Sequence, residues 1–218
     1  MKYWNFRCTK SIPNIYTTTT TLMLCLRHAA RKYWLKWKTS RKQPSLTTMH
    51  KIFSAVFAQE YAHISKVDEV LRRAKPMLNK FVNEHPQIDP LLIGTSFETP
   101  FPVPKASIIV RDSIDLVYKS RRGTENILII ANGSEHDMSM ICPTVAYIGY
   151  QSIKQSSPYT VKMFSEKKGF TNIKIGDKHL NSLVEASNLL SILHDSKNKA
   201  KHVGLACAAC PYKSRCWR

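Results

Sequence analysis

Three cysteines near the end of the chain have a spacing that suits a metal centre. The segment reads Cys207-Ala-Ala-Cys210-Pro-Tyr-Lys-Ser-Arg-Cys216-Trp-Arg. Thiolates at this spacing, with a proline bend between them, can direct three sulfurs at one metal ion or cluster. A fourth ligand must then come from elsewhere in the chain.

Cys25 is the strongest candidate for that fourth ligand. It lies in an apolar and aromatic stretch that predicts a helix, so its side chain has a fixed direction. Ordinary free cysteines are the alternative interpretation. A disulfide set is disfavoured, because we find no secretory signal and a lysine-rich chain is typical of the cytosol, where thiols stay reduced. We expect Cys8 and Cys142 to take no part.

The charge of the chain predicts a polyanionic partner. Its 218 residues carry a net charge of +18 and are 43% hydrophobic. That length suits one domain with one sizeable core, and no apolar run is long enough to cross a membrane. We therefore expect a soluble cytoplasmic protein, in the host cytoplasm if viral, with no membrane partner. The excess charge favours nucleic acid as that partner.

The positive charge is concentrated at the N-terminal side, since no acidic residue precedes Glu60. This concentration argues against the alternative of a uniformly lysine-rich chain. An acid-free, threonine-rich start also leaves an organellar transit peptide open, but cleavage would remove Cys25, and we favour the ligand. The cations expected to contact phosphates are Arg27, Arg31, Lys32, Lys36 and Lys38.

Hydrophobic periodicity predicts an α/β domain over residues 22–218, preceded by an arm over residues 1–21. Helical periods cover residues 22–43, 45–61 and 67–82, with Pro76 expected to kink the third helix. After the third helix the hydrophobic period changes to two residues, which is typical of strands. We expect strands at 92–98, 107–118, 126–130, 159–164 and 171–175, and helices at 138–154 and 178–199.

This order of features resembles the RecB-like iron-sulfur nucleases of the PD-(D/E)XK superfamily. That family includes the four-cysteine nucleases of CRISPR adaptation and the nuclease domains of bacterial helicase-nuclease complexes. The resemblance runs from about residue 22 onward. The residues that carry it are Cys25, His50 in Thr-Met-His-Lys, Glu98, Asp115 in Ser-Ile-Asp-Leu-Val, Tyr147 and the terminal cysteine motif.

The resemblance implies a restriction-endonuclease-like core, in which helices flank a mixed sheet. It also implies a 4Fe-4S cluster held by Cys25, Cys207, Cys210 and Cys216, although Leu26 stands where the family has proline. Four thiolates suit zinc as well, so zinc stays an alternative cofactor.

The catalytic motif departs from the family pattern. A histidine, an aspartate on the second strand and an acid on the next strand hold Mg or Mn there, and a lysine helps to activate water. His50 and Asp115 match the first two positions, whereas Ala131 and Gly133 replace the acid and the lysine. Tyr147 remains from the family's Gln-x-x-x-Tyr on the following helix, with proline at the glutamine position.

We therefore expect an inactive nuclease fold that binds DNA as a subunit in DNA processing, recombination, replication or defence. A helicase, a nuclease or other subunits of such a complex would be its partners. One alternative is an active exonuclease or endonuclease using Mg or Mn, with Glu135 or Asp137 as the migrated acid and Lys119 as the cation. The other is a zinc-bound RNA-binding or adaptor protein.

Overall fold

The computed structural model describes residues 18–61, 67–103, 106–131 and 137–194. For residues 102–103, 106–108, 137–138 and 187–194 it describes the backbone alone. Outside the described residues lie most of the predicted N-terminal arm, Gly133, Glu135 and the cysteines at positions 8, 207, 210 and 216.

Three helices form the first half of the chain: α1 Thr18–Ser40, α2 Leu46–Val56 and α3 Val67–Asn83. The side chain of Ser45 accepts a hydrogen bond from the Thr48 amide and caps α2, which continues as a π-helical turn over Phe57–Tyr61. Helix α1 begins earlier than the predicted boundary after residue 21, so threonines assigned to the arm belong to the helix. Pro76 lies inside α3, and the helix continues beyond it to Asn83.

The sheet is five-stranded and mixed, and its spatial order follows the order of the chain. The strands are β1 Ile88–Val103, β2 Ala106–Ser120, β3 Glu125–Ile130, β4 Val161–Ser165 and β5 Gly169–Ile173. The first three strands form an antiparallel meander, β4 pairs parallel to β3, and β5 pairs antiparallel to β4. A parallel pair needs a crossover, which here contains a π-helical turn, Asp137–Ile141, and helix α4, Cys142–Lys154. The last helix is α5, Asp177–His194.

Strand β3 lies between two apolar layers, which is why its sequence is continuously hydrophobic. Leu128 and Ile130 pack with the core of α1, α2 and α3, whereas Ile127 and Ile129 pack with the core beneath α4. Strands buried on both faces read as apolar runs rather than as alternation. The predicted mixed α/β architecture, in which helices flank a mixed sheet, is confirmed. No helix among the described residues is long and apolar enough to span a bilayer.

Helix α4 packs closely against the β1–β2 hairpin. A Cβ added at Gly149 would overlap the ring of Phe97, so glycine allows this approach. Buried residues of α4 join the same apolar layer as Ile114 and Val117 of β2. The helix is thereby fixed against the part of the hairpin that leads to Asp115.

A buried histidine forms the centre of an aromatic cluster that joins α1, α3 and β5. His85 Nε2 accepts a hydrogen bond from Trp34 Nε1 at 2.9 Å, and His85 Nδ1 donates to the Pro86 carbonyl at 2.8 Å. One ring nitrogen therefore accepts while the other donates, which is the neutral form. Burial lowers the pKa of His85 to about 4. The rings around it are those of Trp34, Trp37, Phe81 and Phe170.

We predict a pH dependence of stability that depends on His85. Because its pKa in the folded protein is below the value of about 6.5 for an unfolded chain, the unfolded state binds the proton first. The contribution is complete above that unfolded value and is lost as the pH falls from there to about 4. The loss amounts to about 3 kcal/mol.

The measurement is urea unfolding across this pH window for the natural protein and for His85→Gln. Glutamine keeps an acceptor for Trp34 but does not titrate. The free energy of unfolding of His85→Gln should therefore fall less steeply than that of the natural protein as the pH is lowered. Some slope should remain, since burial also lowers the pKa of His179. Parallel curves for the two proteins would contradict the assignment.

Candidate functional site

Asp115 lies in β2 immediately before Leu116, where β2 begins to pair with β3. Its side chain is 0% exposed, and its Oδ2 accepts a hydrogen bond from the Ile130 backbone N–H at 2.9 Å. Ala131 follows Ile130 directly. The structure therefore brings Asp115 to the strand end where the resemblance expects a second acid, and alanine offers no carboxylate there.

Two arginines of α1 neutralise this buried carboxylate. Arg27 Nε lies 2.5 Å and Arg31 Nη2 lies 2.8 Å from Asp115 Oδ1, and Arg31 Nε lies 3.3 Å from the same oxygen. Residues four positions apart lie on one helix face, so both side chains reach the same point. The three arginine contacts share Oδ1, while the Ile130 N–H binds Oδ2, so both oxygens of the carboxylate have donors.

Neighbouring groups on β2 fix the two guanidinium groups further. Arg27 Nη2 donates to the Ser113 carbonyl at 3.0 Å, and Arg31 Nη2 donates to Ser113 Oγ at 2.8 Å. The arginine side chains are 17% and 28% exposed. Burial alone would lower the pKa of Arg27, but the charge and hydrogen bond of Asp115 outweigh that effect and raise it. Arg27 is therefore charged at every accessible pH.

Gly94 in β1 makes room for Arg31. Its φ is +62°, and a Cβ at this position would lie 3.2 Å from Arg31 Cδ. A side chain here would strain the backbone and displace the arginine. Sequence reasoning missed this residue, although a single glycine inside a strand pattern is a known sign of a bulge or a close approach.

The chemistry of this site is that of a neutralised charge cluster. Divalent cations such as Mg bind through oxygen ligands, and both oxygens of Asp115 are used by arginines and a backbone amide. Among the described residues, no three His, Cys, Asp or Glu side chains are grouped to hold a metal ion. The cluster ties α1, β2 and β3 together.

The other predicted catalytic residues lie elsewhere. His50 Nε2 lies 3.4 Å from Asn79 Oδ1 of α3, and Tyr147 OH lies 3.0 Å from Ser157 Oγ in the loop after α4. Within the part of the chain that the structure describes, no hydrogen bond or ion pair joins His50, Asp115 and Tyr147 to one another.

The proposed migrated cation is also displaced. Lys119 pairs in register with Glu125 at the start of β3, whereas Asp115 contacts Ile130 at its end. Lys119 therefore does not replace the missing lysine beside Asp115. Glu135 lies outside the described residues, and only the backbone of Asp137 is described.

Cys25 has the surroundings of a core thiol. Its side chain is fully buried, and its Sγ lies 3.9 Å from the Phe53 carbonyl oxygen in α2. Burial, with a smaller effect of Glu60, raises the pKa of the thiol to about 12. A thiol with this pKa stays protonated in the absence of a metal ion, whereas a coordinated thiol is deprotonated. The three terminal cysteines lie outside the described residues, and the four-cysteine centre stays a prediction.

The predicted phosphate-binding cations divide into two groups. Arg27 and Arg31 point to Asp115, whereas Lys32 and Lys36 are exposed on the outer face of α1. Lys38 is also exposed, and its Nζ donates to the Leu91 carbonyl at 2.6 Å. We call Lys32 and Lys36 the lysine face, since they lie four residues apart on one side of α1.

Comparison with known proteins identifies no family. No protein-family model matches the chain, and no curated protein matches it. A solved structure described as "Crystal structure of SSO0001" is 11% identical, with a TM-score of 0.34 over 88% of this chain and 82% of that chain. At this TM-score the likeness carries no argument about fold or function.

We predict that Arg27→Gln lowers the free energy of unfolding by about 3–5 kcal/mol, because it leaves a buried carboxylate poorly paired. Asp115→Asn should cost less, since it removes the buried charge itself. The double variant should be more stable than the sum of the two single effects implies.

Urea unfolding of all three variants measures this coupling. Lys36→Gln is the matched control on the exposed face of the same helix, and its effect should stay within about 0.5 kcal/mol. If Arg27→Gln were as harmless as Lys36→Gln, the ion cluster would not stabilise the fold.

Proposed function

We propose that this chain is a DNA-binding protein built on a PD-(D/E)XK nuclease fold that no longer cleaves. The order of elements supports the fold: an early helix, a strand, a strand bearing Asp115, an apolar strand, and a helix bearing Tyr147. The mixed sheet with helices on both faces is also what the resemblance implies.

The pairing of Asp115 with Arg27 and Arg31 is the observation that carries the loss of cleavage. Metal-dependent hydrolysis requires a cation that polarises a phosphate oxygen and lowers the pKa of bound water. A guanidinium supplies positive charge but binds no water as a metal does and stays protonated. Two arginines at this position therefore favour a protein that keeps the fold without the reaction.

The lysine face supports binding to a polyanion. Lys32 and Lys36 are neighbours on an exposed helix surface, and Arg41 and Lys42 follow directly after α1. Their charges are not used by the Asp115 cluster. On a chain of net charge +18, such a surface attracts phosphates and releases the counterions condensed on nucleic acid.

The metal cofactor is a separate proposal, and the proposed DNA binding does not depend on it. Cys25, Cys207, Cys210 and Cys216 would hold a 4Fe-4S cluster or zinc, with each cysteine bound as a thiolate. An iron-sulfur cluster would colour the protein brown, whereas zinc would leave it colourless. A partner helicase or nuclease subunit is proposed on the same resemblance.

We predict that Lys32→Gln with Lys36→Gln weakens DNA binding and lowers the slope of log affinity against log salt by up to about 2, because each lost phosphate contact contributes about 0.9. Fluorescence anisotropy with a labelled duplex at several salt concentrations measures both quantities.

The matched control is Lys51→Gln with Lys75→Gln, which removes the same charge from exposed positions of α2 and α3. It should reduce affinity less and leave the slope closer to that of the natural protein. Equal effects of the two double variants would show that net charge alone drives association. A natural protein without salt-dependent DNA binding would refute the proposed function.

A further inference from the structure

An open cleft of about 500 Å³ lies beside the turn between β2 and β3, at the opposite end of β3 from Asp115. Its walls come from that turn and the start of β3, from the last turns of α4, and from the loop that leads to β4. The side chains that matter below are Thr124, Glu125, Tyr150, Lys154, Ser157 and Tyr159.

The loop on one side of this cleft is held in place by several hydrogen bonds. Helix α4 stops at Gln155, which has a left-handed φ of +54°. Ser157 Oγ lies 3.0 Å from Tyr147 OH and 3.2 Å from Gln151 Nε2. The Tyr159 N–H donates to the Glu125 carbonyl at 2.9 Å. Tyr147, predicted as a catalytic remnant, is thus a residue that positions this loop.

These bonds fix the backbone of Tyr159 and leave its side chain accessible. The residue is 68% exposed, although the loop that carries it is anchored at both ends. An aromatic ring presented from an anchored backbone loses little conformational entropy when a flat ligand stacks on it. Tyrosine at such a position is a platform for stacking rather than a part of the core.

The rim of the cleft is positively charged. Lys154 lines the cleft, Lys119 lies opposite Glu125 in the strand register, and Arg122 is exposed on the turn that contributes Thr124. Glu125 pairs with Lys154 and so offsets one of these three charges, which leaves the rim with a net positive charge.

The carboxylate of Glu125 accepts a hydrogen bond from Tyr150 OH at 2.7 Å and lies 3.6 Å from Lys154 Nζ. The hydrogen bond from Tyr150, with smaller effects of Lys154 and Lys119, lowers the pKa of Glu125. Lys119 and Arg122 are both exposed to solvent.

An exposed aromatic ring beside a net positive charge matches the chemistry of a nucleotide. Successive bases of single strands stack on aromatic side chains, while cations track the phosphates. Bases inside a duplex are stacked on each other and cannot reach such a ring. The cleft volume lies in the range of about 300–1,000 Å³ that is usual for small-molecule sites.

We infer that this cleft binds one nucleotide of a single-stranded nucleic acid, with the base stacked on Tyr159 and the adjoining phosphates near Lys154 and Arg122. The inference rests on the proposed function and deepens it, since it assigns single strands to this cleft and leaves duplex binding to the lysine face. Stacking on Tyr159 needs only the flat face that every base has. The site therefore accepts any sequence.

The test is fluorescence anisotropy with a labelled oligothymidylate and with a duplex of the same length. Tyr159→Ala should weaken binding of the oligothymidylate about 5- to 150-fold, because one base-aromatic stack is lost. Tyr159→Phe keeps the ring and should bind like the natural protein. Ile109→Ala, at a large apolar side chain of β2 that is 61% exposed, is the control and should have no effect.

Each outcome decides a different point. Unchanged oligothymidylate affinity in Tyr159→Ala would overturn this inference, and so would an equal loss for single strand and duplex. In either case the lysine-face variant can still weaken duplex binding, so the proposed function would stand. If neither probe binds the natural protein in a salt-dependent way, both the inference and the proposed function fail.

Discussion

The burial of the Asp115 carboxylate is the constraint on which the arrangement of α1, β2 and β3 depends. An ionised carboxylate without water costs several kcal/mol unless charges and hydrogen bonds replace its solvation. Arg27, Arg31 and the Ile130 amide supply that replacement. The requirement extends to β1, where Gly94 leaves the space through which Arg31 passes.

This cluster also separates the two faces of α1. One face carries the arginines inward to the sheet, and the other presents Lys32 and Lys36 to solvent. A single basic helix can therefore stabilise the fold and attract a polyanion, because different cations perform the two tasks. The cleft at Tyr159 lies at the other end of β3 and beside α4, which packs on the opposite face of the sheet from α1.

Much of the fold could be predicted from the sequence, because it depends on local patterns. The helical pattern of α1 and the apolar run of β3 each appear within a short window and are present in the structure. The roles of Arg27 and Arg31 could not be predicted in the same way. Helical periodicity places them on one face, but their partner is 88 and 84 residues away, and its burial is decided by tertiary packing. Lys119 failed as a migrated cation for a related reason, since strand register and not sequence proximity sets its neighbours.

The central claim is that guanidinium groups occupy the position where the resemblance expects a catalytic metal. The most direct measurement is cleavage of labelled single-stranded and duplex DNA by the purified full chain with Mg or Mn, compared with Asp115→Asn. We expect the DNA to stay intact with both proteins and with both metals. Metal-dependent cleavage by the natural chain that Asp115→Asn abolishes would contradict it, because Asp115 would then hold a metal ion in place of Arg27 and Arg31.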